Sequence, residues 1–117
     1  MCPQRVAVGL SRDGGMAQYA VMPEQHLVPV PEGLDLSVAA LGEPLSVAVH
    51  AVDVRADIEP GQKVVVSGPG PIGVLCGMVA KLRGAEVLLT GVGQDSESRL
   101  PAAERVGLRA LVKTVDP

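Results

Sequence analysis

The stretch Lys63-Val64-Val65-Val66-Ser67-Gly68-Pro69-Gly70-Pro71-Ile72-Gly73-Val74-Leu75 decides the fold. It begins with three consecutive valines, the pattern of a strand buried on both faces of a parallel sheet. It continues with G-x-G-x-x-G and opens an apolar run, Ile72 to Leu82, which reads as a helix ending at Gly84. A glycine triplet of this spacing means little alone. Between a strand and a helix it has the context of a dinucleotide-binding turn. In that reading Gly68 permits the tight turn, Gly70 lets a pyrophosphate approach the backbone, and Gly73 lets the helix pack closely on the strand. Pro71 is tolerated at a helix start, and with Ile72 it begins a helix whose N-terminus carries about half an elementary positive charge. Pro69 removes one N–H from the loop. The competing reading is a glycine-rich turn that only joins strand to helix.

Downstream, Glu86 to Thr90 reads as a second apolar strand, followed by a polar loop from Gly91 to Ser98. A helix over Arg99 to Val106, with Pro101 in its first turn, and a third strand over Leu108 to Val112 complete the pattern. The order β, α, β, α, β with short loops implies a parallel sheet with right-handed crossovers, one mononucleotide-binding half of a doubly wound fold. An acid at the end of the second strand would bind the adenosine ribose of NAD. Thr90-Gly91 stands there instead, and Asp95 comes later in the loop. Nothing at that place strongly repels a 2′-phosphate, and Arg99 is a candidate to reach one, so NAD and NADP both stay open. The plainer reading makes Asp95 a solvated loop acid and Arg99 a helix-start base.

Upstream the texture changes. Residues 1 to 36 hold short apolar stretches broken by Gly14-Gly15, Pro23, Pro29, Pro31 and Gly33, with short strands expected over Ala17 to Val21 and His26 to Val30. Helical periodicity starts at Ser37. It predicts a short helix to about Leu41, a break at Gly42-Glu43, and a second helix from Pro44 to about Arg55. A turn is expected over Ile58 to Gln62.

Composition sets outer limits. The chain has 117 residues, enough for one modest core, and 47% apolar against 20% charged residues argues against disorder. Ten basic and thirteen acidic side chains, without a basic run, give no footprint for nucleic acid or an acidic membrane. No apolar run approaches a bilayer span and the N-terminus lacks a secretory signal, so a cytoplasmic protein is expected. Two cysteines, Cys2 and Cys76, make neither a disulfide framework nor a zinc site by themselves. With no Phe or Trp, the core must be built from Val, Leu, Ala, Ile and Met.

Four stretches together resemble the zinc-dependent medium-chain dehydrogenases, in order and over nearly the whole chain, with the sorbitol and threonine dehydrogenase branch as the best match. They are Asp13-Gly14-Gly15-Met16-Ala17-Gln18-Tyr19, Leu27-Val28-Pro29-Val30-Pro31, Glu43-Pro44-Leu45-Ser46-Val47-Ala48-Val49-His50-Ala51, and Pro60-Gly61 ahead of Gly68 to Gly73. The resemblance implies an α/β fold, half of a Rossmann doubly wound parallel sheet preceded by the end of a GroES-like β domain. Residues 1–36 would be the C-terminal part of the GroES-like catalytic domain, and residues 37–117 a linking helix and the first half of the coenzyme domain. It implies a hydride transfer between an alcohol or polyol and NAD or NADP, assisted by zinc in the complete enzyme. Glu43 matches the glutamate at the family's catalytic zinc, and Cys2 resembles the last cysteine of its structural zinc lobe. The other zinc ligands of the family are not among these residues, so the chain looks like an internal fragment and is expected to be inactive alone.

The alternatives are a non-catalytic nucleotide-binding module and a non-functional truncated product. Glu43 can instead simply favour the start of the helix that follows it. His50, Cys76 and Tyr19 read as structural, the last two as core residues. Unpaired strand edges in a half sheet leave homo-oligomerisation open.

Overall fold

The structure is a computed structural model that describes residues 4–112, divided into two units, Met1–Leu34 and Asp35–Pro117. The first unit is irregular. An isolated bridge joins Val8 and Arg12, supported by the Gly9 N–H donating to the Arg12 carbonyl at 3.0 Å, and Glu24–His26 forms a single 3₁₀ turn. The strands expected over Ala17 to Val21 and His26 to Val30 do not form. A strand exists only where its N–H and C=O groups find a ladder, and within this unit none runs beside them, while Pro23, Pro29 and Pro31 lack the N–H altogether. Tyr19, expected in a core, is 89% exposed for the same reason, since no layer covers it.

The second unit begins with two short helices. Asp35 caps the first, α1 (Leu36–Ala39), by accepting the Ser37 N–H at 2.7 Å, and it also accepts the Ser37 hydroxyl. Helix α2 (Gly42–Val49) starts two residues before Pro44. The break expected at Gly42-Glu43 is therefore the first turn of the helix itself, where a proline loses no intrahelical bond because the first four N–H groups have no partner. The expected continuation to Arg55 is present but wider. His50–Arg55 forms a π segment, in which the Ala56 N–H donates to the Ala51 carbonyl five residues back.

A parallel three-stranded sheet follows, in the order β1 (Lys63–Ser67), β2 (Glu86–Gly91), β3 (Arg109–Val112). Register pairs Val65 with Leu88 and Leu88 with Arg109. Helix α3 (Pro71–Leu82) crosses from β1 to β2, and α4 (Arg99–Arg105) from β2 to β3. Both lie on one face of the sheet. Leu89 is fully buried there against Val66, Val74 and Met78 from the β1–α3 side and Ala103 from α4. A second cluster joins α2 and the π segment to α3 through Ala48, Val52, Val79, Ala80 and Ala85. Small side chains at Ala48 and Ala80, both fully buried, let these helices approach closely. This is how a core without Phe or Trp closes.

Among the described residues of this unit, nothing covers the opposite face of the sheet. Burial alternates along β1, with Val64 and Val66 half-buried while Val65 is 66% exposed. The expectation of a strand buried on both faces is thus corrected. Three valines in a row satisfy a two-sided strand, but α3 and α4 cover only one side.

Across the helices, Arg83 at the end of α3 donates from Nε to Asp53 Oδ1 of the π segment at 2.7 Å. That bond, and the guanidinium charge behind it, hold the Asp53 carboxyl below its usual value of 3.8. A depressed folded-state value means the pair stabilises the fold above about pH 4, and that contribution is lost as the pH falls through the folded value.

Two measurements check this architecture. Leu89→Ala should cost about 2–5 kcal/mol in chemical denaturation, whereas Val65→Thr on the open face should stay within about 0.5 kcal/mol. Asp53→Asn should lower the melting temperature slightly near pH 7, and the difference from the native protein should shrink as the pH falls through the depressed folded-state value.

Candidate functional site

The glycine turn sits between β1 and α3. Gly68 has φ +106°, a conformation that side-chain-bearing residues rarely adopt. Its N–H donates to the Thr90 carbonyl at 2.8 Å, which extends the β1–β2 ladder into the turn. Gly73 faces back onto the turn, and a Cβ there would lie 2.0 Å from the Gly68 carbonyl oxygen and 3.6 Å from Val66 Cγ1. Gly70 differs from both. It precedes α3 in extended conformation, φ −72° and ψ 172°, and a Cβ placed on it would meet nothing within 4 Å.

Pro71 and Ile72 form the first turn of α3, both exposed. Pro71 has no N–H, so Ile72 and Gly73 provide the unpaired donors of the first three helical residues. Val74 already donates to the Gly70 carbonyl at 2.9 Å. The fold brings Gly68, Gly70, Pro71, Ile72 and Gly73 together at the carboxyl end of the sheet. It also makes a wall of Pro69, which is buried.

Beside the turn lies a cleft of about 250 Å³, lined by the Ser67–Gly70 turn, the end of β2 and the loop that follows it. Gly91 closes β2, and a Cβ on it would stand 3.0 Å from Pro69 Cγ and 3.1 Å from Asp95 Cβ and Oδ2. Asp95 is only 5% exposed, which corrects its reading as a solvated loop acid. Oδ2 accepts the Val92 N–H at 3.0 Å and Oδ1 accepts Arg99 Nη1 at 3.1 Å. These bonds explain how a carboxylate tolerates that burial. The i, i+4 spacing of opposite charges was a visible signal for this pair, but the inward turn of Asp95 depends on Gly91 having no side chain.

The remaining candidates are not gathered here. Glu43 stands exposed in the first turn of α2, where its backbone carbonyl accepts the Ser46 hydroxyl at 2.6 Å. His50 is exposed at the start of the π segment. Among the described residues no three His, Cys, Asp or Glu side chains cluster as metal ligands, whereas a stable zinc site takes three or four. These residues do not make a zinc site by themselves, and Cys2 lies outside the described residues. Cys76 packs half-buried against the helix core as a free thiol, and burial pushes its pKa up, the opposite of an activated nucleophile.

No protein-family model matches the chain. Sorbitol dehydrogenase of Halalkalibacterium halodurans is 39% identical over 114 residues, which span 97% of this chain and 33% of that protein. Its homologues are polyol dehydrogenases. It spans about a third of the length of the curated relatives it matches. Among solved structures, an Escherichia coli CFT073 alcohol dehydrogenase complexed with NADH superposes with TM-score 0.87 at 27% identity, over 99% of this chain and 34% of the other. A Sinorhizobium meliloti 1021 protein assigned as a zinc-binding dehydrogenase, with NADP bound, gives 0.84 at 36% identity, over 100% and 32%. The three-stranded parallel unit corresponds to the Rossmann-like part of such dehydrogenases. No helix among the described residues is long and apolar enough to cross a membrane.

The tight contact at Gly73 yields a prediction that needs no ligand. Gly73→Ala must push the helix away from the Gly68 carbonyl and should destabilise the fold by about 1–3 kcal/mol in chemical denaturation.

Proposed function

We propose that the chain supplies the dinucleotide-binding half of the coenzyme site in an alcohol or polyol dehydrogenase that passes hydride to or from NAD or NADP. In this reading residues 37–117 are the linking helix and the first half of a Rossmann coenzyme domain, and residues 1–36 end a GroES-like catalytic domain. The observation that carries it is the open position at Gly70. The backbone there is half-buried with open space where a side chain would stand, directly before the Ile72 and Gly73 N–H groups of α3. An anion approaching this point meets unpaired donors and the positive end of a twelve-residue helix.

Gly68, Gly70, Pro71, Ile72 and Gly73 then form the pyrophosphate cradle: Ile72 and Gly73 offer N–H groups, Gly70 leaves room for the ligand, Gly68 makes the turn, and Pro71, without an N–H, starts the helix. Zinc belongs to the complete enzyme in this reading, with Glu43 and Cys2 at metal sites whose other ligands separate segments of that enzyme supply. The part played by this chain is to bind and orient the coenzyme. A cytoplasmic setting accords with this reading, and so does self-association through the outer edges of β1 and β3.

Calorimetric titration of the 117-residue chain with ADP, NAD and NADP tests the assignment. Binding is expected for all three, and Gly70→Val should abolish it while leaving stability within about 0.5 kcal/mol, because the added side chain meets open space. Absence of heat with all three ligands at about millimolar concentration, the weak end of specific binding, would sink the assignment. The same chain given zinc, a polyol and either coenzyme should show no coenzyme reduction, and measurable turnover would overturn the division of labour.

A further inference from the structure

The cleft beside the glycine turn carries a charge arrangement that bears on which coenzyme it takes, an inference that rests on the coenzyme reading above. We propose that it selects the coenzyme bearing a 2′-phosphate, NADP(H), over NAD(H), with the Arg99 guanidinium receiving that phosphate and Asp95 positioning the guanidinium.

Three observations lead there. First, the end of β2 offers no carboxylate to a ribose diol. Thr90 and Gly91 occupy it, and Gly91 cannot be replaced by an acidic residue without displacing Pro69 and Asp95, which lie 3.0–3.1 Å from where a Cβ would be. Second, the one acid that lines the cleft is already engaged. Asp95 is buried, with one oxygen accepting the Val92 N–H and the other accepting Arg99 Nη1. Third, the Arg99 side chain is 60% exposed, and among the described residues its only hydrogen bond is the one from Nη1 to Asp95. Nε and Nη2 keep their donors for an incoming oxyanion, and a guanidinium suits the planar, two-point recognition of phosphate.

Apart from this pair the cleft lining is uncharged. Asp95 therefore fixes the arginine rather than competing for the ligand. A ribose diol, which needs an acceptor, finds its natural partner occupied. A 2′-phosphate, which needs donors and positive charge, finds both on Arg99.

The test is a calorimetric titration of the whole 117-residue chain with adenosine 2′,5′-bisphosphate, adenosine 3′,5′-bisphosphate and 5′-AMP. The first should bind about tenfold or more tightly than the other two, the advantage typical of charged hydrogen bonds. Arg99→Leu should remove that advantage and leave 5′-AMP affinity unchanged, and Arg99→Lys should keep part of it. Arg99→Leu takes one partner from the buried Asp95 carboxylate, so thermal denaturation checks that both variants stay folded, and Arg99→Lys, which keeps the positive charge, reads the effect without that loss. Equal binding of the 2′,5′- and 3′,5′-bisphosphates, or of the 2′,5′-bisphosphate and 5′-AMP, overturns the selectivity. A preference that survives in Arg99→Leu overturns Arg99 as the receptor. Failure of all three nucleotides to bind overturns the coenzyme reading itself, which separates the two claims.

Discussion

The carbonyl oxygen of Gly68 occupies the space that a side chain at position 73 would need, and the rest of the carboxyl end of the sheet follows from that contact. It brings the first turn of α3 down onto the end of β1, closer than any residue with a Cβ permits. Two consequences come together. The helix N-terminus is held against the sheet end with its donors outward, and the chain between them is compressed into a turn that needs the positive φ of Gly68. Gly70 then lies on the outside of the turn, where its missing side chain leaves bare backbone. Each glycine thus answers a different demand: conformation at 68, access at 70 and proximity at 73.

The same closeness organises the core. With α3 drawn onto the sheet, Val74 and Met78 reach Leu89, and the other flank of the helix meets α2 through alanines. Large aromatic side chains would separate these layers, so the lack of Phe and Trp and the tight helix packing are one fact seen at two levels. All of this apolar contact lies on one face. The other face, with Val65 exposed, has the chemistry of an interior and no layer over it among the described residues of its own unit.

The βαβαβ half of the fold was legible in the sequence because its signals are local and mutually consistent. Val64 to Val66 marks a strand, Pro71 a helix start, Gly84 a helix end, and the short loops force parallel strands. What failed depended on partners that the local pattern does not specify. Ala17 to Val21 and His26 to Val30 have strand-like composition but no neighbour to pair with. Tyr19 is exposed for want of a covering layer, and Val65 is apolar without being buried. The π segment left no sequence mark either, since His50 to Arg55 reads equally well as α-helix. In the candidate site, the glycines could be read from their spacing. The burial of Asp95 could not, because it depends on how closely the next loop returns to Gly91.

That return is where the chain departs most from the simplest form of its fold. In a nucleotide-binding half sheet the end of the second strand ordinarily presents an acid directly to the ribose. Here the acid comes four residues after Gly91, folds back under the loop, and accepts the Val92 N–H and an arginine. Moving a carboxylate from the strand end into the loop changes its role, from ligand contact to internal anchor. The positive charge it anchors is left facing outward. The electrostatic character of the cleft is therefore set less by which charged residues are present than by which of them is buried. Asp95 and Arg99 cancel in a count of charges, but an approaching ligand meets the guanidinium first.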